Sequence, residues 1–519
     1  IATSDPKIEQ VFQQWRATKA LDSPLLKNED LKAVLNEETP WHRQAQAESQ
    51  ARRNVGILFD QNRLEDETQR ALNQLAEQQL DDGRWPWFPG GSANDFITLY
   101  ITTGFGRLHH LGVQVDREPA FRSLARLDAW MAEMHKDVAS RKNFKPEDNH
   151  LSHTIALYLY GRSFFLGDQL VDQQYQPSLD FWLDQAKRHW LKLGSLQLQA
   201  NLAVAMDRFD VPDVSNRIMV SIKERSVNDE EMGMHWPAQA WSQWWYQAPI
   251  ETQASIIEAF DEVMNDAQAV EDCKVWLLKQ KQTQDWETTK ATADAIYALL
   301  LRGTDLLASD RLVEVELGGI RIQPVDVEAG TGFFEHRKVG GEVTADLSKI
   351  KVTKQDEGVA WGSVHWQYFE DIDRVTASGD NPLRLTKELY VKTNTDAGPV
   401  LKRVTGDVNV GDELVVRLVL RTDRDLEFVH IRDHRGSGTE PVNVLSSYRW
   451  RDGLGYYEST RDTASHFFVD FMRQGTYVFE YSTRVQLRGD YQTGIAMIQC
   501  MYAPEFNSHS ESIRLTVGQ

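Results

Sequence analysis

Residues 313–322 read VEVELGGIRI, apolar and charged side chains alternating on both sides of the pair Gly318-Gly319. Alternation with period two marks a half-buried strand, and two glycines between two such runs predict a hairpin closed by a two-residue turn. Further strands are expected at 413–419 (ELVVRLV), 477–481 (YVFEY) and 495–499 (IAMIQ), each beside Gly or Asp. Upstream of 313 the period changes. Apolar residues recur at helical spacing in Ile97, Ile101, Gly104, Leu108; in Leu151, Ile155, Tyr158; in Ile250, Ala254, Ile257; and in Ala291, Ala295, Leu299. These read as core-facing stripes of amphipathic helices. An all-α head is expected to give way to an all-β tail near residue 305.

The chain has 519 residues, 41% of them hydrophobic, which suits roughly three globular domains. Its 57 Lys and Arg against 77 Asp and Glu give a net charge of −20, so a phosphate backbone or an anionic membrane would be repelled and nucleic acid is not expected as a partner. No apolar run approaches the ~18 residues of a membrane span. The first residue is Ile1 and no signal peptide pattern follows it, so a fragment or processed chain is expected. Cys273 and Cys500 fall in segments that read as different domains, which indicates buried thiols rather than a disulfide framework.

Thirteen of the 16 tryptophans lie in the helical part, where a degenerate repeat recurs: a glutamine-rich helix end, an aromatic corner, then a helix carrying Thr and Ala. One corner is DDGRWPWFPGG at 81–91, a second surrounds Asp285-Trp286, and a third is Trp241 to Tyr246. Helix pairs that cannot bury their apolar faces singly suggest a closed ring, an α/α toroid of helix pairs. No third ligand stands at a zinc spacing from His109-His110, from His150 and His153, or from His235, so no metal or cofactor is expected. A Gly-x-Ser-x-Gly elbow and a phosphate-binding glycine loop are also missing. Asp81, Asp82, Asp95, Glu251 and Asp285 sit near the aromatic corners, where a sugar-cleaving carboxylate pair would find stacking faces. The plainer account is that Asp82-Gly83 makes a turn and Asp95 caps a helix.

The stretch 69–111, QRALNQLAEQQLDDGRWPWFPGGSANDFITLYITTGFGRLHHL, resembles the thioester domain of bacterial alpha-2-macroglobulin-like proteins. The resemblance continues through 248–263 and 275–300 and covers the β tail at 408–433, 451–462, 475–485 and 499–506, in family order. It implies a multidomain α-then-β chain: an α/α toroid at 1–305, a CUB-like β segment at 306–384, and a receptor-binding-type antiparallel β-sandwich at 385–519. Such proteins trap proteases: a protease cuts a bait region and an internal thioester between a Cys and a Gln becomes exposed to the attacker. The acyl bond survives only where water is kept out. The family's shield includes a Met-Tyr pair in a Met-Tyr-x-Pro-Glu segment, matched here by Met501-Tyr502-Ala503-Pro504-Glu505, and Trp87 beside Gly90-Gly91 is a looser candidate for the same pocket. For Trp85 and Phe88, plain ring packing is an equal reading.

The family's Cys-x-Glu-Gln motif is missing: Lys274-Val275-Trp276 follows Cys273, Met501-Tyr502-Ala503 follows Cys500, and Ile8-Glu9-Gln10 is preceded by Asp5-Pro6-Lys7. The sequence is expected to begin just downstream of the motif, so that catalytic residues are none in this chain and protease partners are met by the parent protein. The resemblance places that parent in the periplasm, cell envelope or medium, as a lipoprotein in some cases, with a toroid–sandwich contact inside it. The alternatives are a carbohydrate-active toroid enzyme with β accessory domains, and a thioester-less trapping protein of the envelope.

Overall fold

The computed structural model describes residues 6–18, 20–27, 40–56, 60–229, 232–237, 248–283, 286, 288–301, 311–356, 360, 362–378, 382–451 and 453–518. The expected change of character near 305, the corner at 241–246 and Asp285 lie outside them. Among the described residues, thirteen α-helices precede the main sheets: α1 (Pro6–Ala17), α2 (Pro24–Lys27), α3 (His42–Asn54), α4 (Gln61–Gln78), α5 (Asp95–His110), α6 (Glu118–Ala139), α7 (His153–Ser163), α8 (Gln176–His189), α9 (Leu196–Arg208), α10 (Pro212–Glu224), α11 (Pro249–Ala259), α12 (Ala267–Thr283) and α13 (Thr289–Leu300). Two short ladders interrupt them, β1 (Trp85–Pro86) with β2 (Ala93–Asn94), and β3 (Val227–Asp229) with β4 (Gly233–His235).

The helices start where the local chemistry tells them to. Side chains of Asn94, Ser152, Ser195 and Thr288 accept from the backbone N–H of Ile97, Ile155, Leu198 and Ala291, capping α5, α7, α9 and α13. The cap of α5 is therefore Asn94, one residue before the Asp95 expected from sequence, and Asp95 occupies the first turn. Proline opens α6, α8, α10 and α11, where its missing N–H costs nothing.

In space α5 packs on α7, α7 on α9, α9 on α11 and α11 on α13, while α6, α8, α10 and α12 lie outside them. The circle closes through side chains: Arg107 on α5 reaches Asp294 on α13 at 2.5 Å and lies over the Tyr297 ring at 4.8 Å. An inner ring of five helices inside an outer layer is the toroid expected from the repeat. The stripe Ile97, Ile101, Gly104, Leu108 is not the buried face of α5, however. Thr98, Leu99, Thr102, Thr103, Phe105 and Gly106 are buried instead. Close approach to α7 selects small residues there: a Cβ on Gly161 would stand 2.3 Å from Thr103 Oγ1, and one on Gly106 would stand 2.6 Å from Phe164 Cβ. The threonine hydroxyls are satisfied within the helix, Thr102 and Thr103 donating to the carbonyls of Thr98 and Leu99.

The axis of the ring is filled by charge. Arg208 on α9 holds Glu262 at 2.5 Å and Glu258 at 3.3 Å, and Glu258 accepts from Tyr160 (2.5 Å) and Tyr297 (3.0 Å). His110 lies 3.2 Å from Glu262, and Lys290 bridges Asp294 and Glu251. Burial raises the Glu262 carboxyl, against the pull of Arg208.

Beyond the helices, β5 (Glu314–Leu317) and β6 (Ile320–Arg321) form the hairpin expected at 313–322, with Leu317 opposite Ile320 and both turn glycines at positive φ, +59° and +79°. β7 (Ile350–Thr353) completes a three-stranded sheet. Among the described residues of 311–378, Ile322 is the one hydrophobic side chain that is buried.

Residues 383–518 pack as a sandwich. The strands are β8 (Leu383–Thr395), β9 (Gly398–Arg403), β10 (Val408–Asn409), β11 (Glu413–Thr422), β12 (Leu426–His434), β13 (Thr439–Pro441), β14 (Ser447–Arg451), β15 (Leu454–Thr460), β16 (Ala464–Met472), β17 (Gly475–Val485), β18 (Gly489–Gln492), β19 (Ala496–Cys500), β20 (Asn507–His509) and β21 (Arg514–Gly518). Five strands in the order β13-β17-β11-β8-β9 face six in the order β14-β15-β16-β12-β19-β20, all antiparallel. A small sheet β10-β21-β18 includes the parallel pair β10/β21. Alternating Leu414, Val416, Leu418 and Leu420 meet Val429, Ile431, Phe467 and Val469 in the core. Within that core Lys387 is paired with Asp433 at 2.6 Å, and Tyr481 donates to the other carboxylate oxygen at 2.6 Å, so the buried charges are compensated.

Candidate functional site where the first helices meet the sandwich

The short helix α2 and the hydrophilic α3 are held to the sandwich by a small aromatic cluster. Leu25, Trp41 and Ala45 from the helical side pack with Phe428, Phe468 and Met501 from the sheet side, and Leu26, Tyr457 and Tyr502 border them. Trp41 is 1% exposed, meets the rings of Phe428 (5.4 Å) and Phe468 (5.1 Å) edge-on, and donates from Nε1 to Asp470 Oδ1 at 2.6 Å. Edge-to-face contact suits the ring quadrupoles, and the indole N–H finds the partner that a buried tryptophan needs. Residues 41, 45, 48, 49 and 52 lie along one side of α3, which is why so polar a helix can still dock.

Met501 and Tyr502 come directly off β19. Met501 is 2% exposed, and its N–H donates to the Phe428 carbonyl at 2.9 Å. The Tyr502 ring lies 4.8 Å from Phe428, and its hydroxyl donates to the carboxylate of Glu48 on α3. Phe428 itself adopts a left-handed backbone, φ +54°, inside a strand. Beside this cluster, His430 stacks on Phe468 at 4.8 Å and hydrogen-bonds His466 at 3.0 Å. Burial holds His430 well below the ordinary imidazole range, with His466 and Arg432 adding to it, and burial with Arg432 brings His466 down to about 4.

Trp87 takes a different position. It is 62% exposed, stacks on Phe96 at 6.3 Å, and is not a member of the Met501–Tyr502 cluster. Its neighbour Phe88 is 65% exposed, while Trp85 is buried and donates from Nε1 to the Leu75 carbonyl at 2.7 Å. Packing thus buries Trp85, while Trp87 and Phe88 stay exposed.

The carboxylates near the aromatic corners are committed elsewhere. Arg84 binds Asp82 (2.7 Å) and Asp95 (3.2 Å), lowering the Asp82 carboxyl, and buried Glu251 lies 3.4 Å from Lys290. His150, His153 and His235 are each within bonding distance of a backbone carbonyl. Among the described residues no cluster of three or more His, Cys, Asp or Glu could hold a metal ion, and no helix is long and apolar enough to cross a membrane. Cys273 and Cys500 are both buried, which raises their thiols, Cys500 to about 11. Neither is a nucleophilic thiolate at neutral pH.

Trp41, Glu48, Phe428 and Asp470 are among the members of the site that sequence reading did not single out. The available signal was a lone tryptophan just before a polar helix, with buried Ala45 and Ser49 at four and eight residues beyond it.

Residues 383–505 match the family model Bacterial Alpha-2-macroglobulin MG10 domain. A stretch of 178 residues, 34% of the chain, is 24% identical to Circularly permutated Ras protein 2 of Dictyostelium discoideum and covers 4% of it. Among solved structures, trypsin-activated alpha-2-macroglobulin from Escherichia coli is similar over 91% of this chain and 30% of its own, at 15% identity and TM-score 0.42. Salmonella alpha-2-macroglobulin reacted with methylamine is similar over 99% and 31%, at 15% identity and TM-score 0.33. The chain spans less than a third of the length of either.

Proposed function

We propose that this chain, whose residues 383–505 match the bacterial alpha-2-macroglobulin MG10 domain model, is the C-terminal part of a broad-spectrum protease trap of that kind. It is an inhibitor rather than a turnover enzyme, acting in the periplasm, envelope or medium. In this reading 1–305 is the thioester-domain toroid, 306–384 the CUB-like segment and 385–519 the sandwich. Met501 and Tyr502 roof the reactive centre, whose Cys and Gln the parent supplies.

The observation that supports this most is the joint itself: Met501 is buried against Leu25, Trp41 and Ala45, and Tyr502 is bonded to Glu48. A roof that must exclude water from an acyl bond needs such an apolar seal, since a thioester in contact with solvent is lost to hydrolysis. A sugar-cleaving site draws no comparable support, because Asp82, Asp95 and Glu251 are ion-paired.

The test uses the full-length parent. Tyr502→Ala is expected to raise methylamine uptake, read by mass spectrometry together with the free thiol released, without any protease. Equal uptake in variant and parent overturns the roof. A parent that takes up no methylamine at all overturns the thioester and leaves trapping by shape.

A further inference from the structure

The Tyr502 hydroxyl, on the sandwich, donates to a carboxylate of α3. Its acceptor, Glu48 Oε2, also accepts from Ser23 Oγ at 2.6 Å, while Glu48 Oε1 is held by Arg52 Nη2 (2.7 Å) and Nε (3.0 Å). Ser23 is fixed in turn, its backbone N–H donating to Ser49 Oγ at 2.9 Å and Ser49 Oγ to the Ala45 carbonyl at 2.8 Å. The carboxylate is thus locked in direction by α3 and by the residue that leads into α2. A charged acceptor fixed on both oxygens is a strong and directional anchor for a phenol.

From this geometry we infer that Glu48 is the positioning residue for Tyr502: its carboxylate, oriented by Ser23 and Arg52, sets the angle at which the phenol covers the joint. Any event that lifts α3 from the sandwich removes this acceptor, and one that shifts α3 against α2 takes away the Ser23 hydroxyl that orients it. The state of α3 thereby becomes the control on the roof. This rests on the reading of Tyr502 as a roof only for its functional consequence, and the placement of the ring can be tested without it.

The probe is acetylation of tyrosines by N-acetylimidazole in this chain, followed by peptide mass spectrometry, with exposed Tyr448 as internal reference. Glu48→Ala is expected to raise the Tyr502 rate on the order of tenfold, the loss of one hydrogen bond to a charged acceptor. Glu48→Gln keeps an oxygen acceptor and is expected to stay near the unaltered rate. If Glu48→Ala does not fold, as read by circular dichroism, Ser23→Ala serves in its place and is expected to give a smaller rise. An unchanged Tyr502 rate in Glu48→Ala, or in Ser23→Ala where that replaces it, overturns the assignment, as do equal rates in the Ala and Gln variants. In a thioester-bearing parent, faster acetylation with unchanged methylamine uptake keeps Glu48 as the positioning residue and removes the roof. Unchanged acetylation removes Glu48 whatever the uptake.

Discussion

Trp41 should decide whether α3 stays on the sandwich. Deleting a fully buried tryptophan costs roughly 3–5 kcal/mol. Here the parts are visible: two edge-to-face contacts at about 0.5–1.5 kcal/mol each beyond area, and a hydrogen bond to the Asp470 carboxylate at about 1.5–3 kcal/mol. What α3 retains is the Tyr502–Glu48 hydrogen bond and little apolar burial, because Ala45 and Ser49 are its buried residues and burying one methyl contributes about 0.8 kcal/mol. Trp41→Ala is therefore expected to undock α3 and α2 while leaving the toroid and the sandwich core folded. Hydrogen exchange reads this directly. Amides of α3, and the Met501 amide that bonds to Phe428, should exchange at least about a hundredfold faster, the conversion of ~3 kcal/mol. Buried amides of α9 should not change. Trp41→Phe should fall between, and Asp470→Ala should add little in that background, since the partner N–H is already gone. Unaltered protection of α3 and Met501 in Trp41→Ala, with the sandwich intact, would refute the view that this cluster holds the two parts together.

Arg107→Met should destabilise the helical part by about 3–5 kcal/mol, because Asp294 is left buried with Lys290 as its remaining cation. Asp294→Asn in the same background should recover part of the loss in thermal melts, and no recovery would count against ring closure by this pair. The His430–His466 pair predicts acid sensitivity: an unfolded imidazole titrates near 6.5, whereas His466 is held at about 4 by burial and by Arg432, Arg461, His434 and Arg435. Between those values the unfolded chain binds the proton and the folded chain does not. Stability is thus fully present above about pH 6.5 and falls as pH drops towards 4, by about 3 kcal/mol for this residue. His466→Gln should flatten that part of the pH–stability curve, and an identical slope would show that the buried imidazole is not its source.

The switch from period 3.6 to period 2, and the hairpin at 313–322, were legible because burial on one side writes itself into residue order. The same holds for the stripes through Ile155, Ile257 and Ala295, all buried. α5 was misread because its close contact with α7 is built from Thr and Gly, residues that an apolar-periodicity reading passes over. The axis of the ring was illegible for the opposite reason: Arg107, Arg208, Glu258 and Glu262 look like a solvated helix face until the partner from the next helix is known. At the joint, periodicity offered nothing for Met501 or Tyr502, which lie past the end of β19; they were reached by resemblance. Glu48 looks like any exposed glutamate, since its role exists only across 454 residues of sequence separation.

Phe428 shows why the joint belongs to the assembled molecule and not to the sandwich alone. A bulky residue in the left-handed region costs about 1–2 kcal/mol, and nothing in the ladder requires it here. Glu427 pairs with Phe471 and Val429 with Val469, while Phe428, between them, has no partner in the ladder to β16. The kink turns the Phe428 ring towards Trp41 and Tyr502 and its carbonyl towards the Met501 amide. Across from it, at the position left out of the pairing, Asp470 takes the Trp41 indole N–H. Of these contacts, the Trp41 ring comes from the docked helices, while Tyr502 and the Met501 amide belong to the sandwich itself. A sandwich released from α2 and α3 would keep the strain and lose the Trp41 part of the compensation, so undocking favours relaxation of Phe428, and with it a shift of the Met501–Tyr502 segment that hangs from its carbonyl.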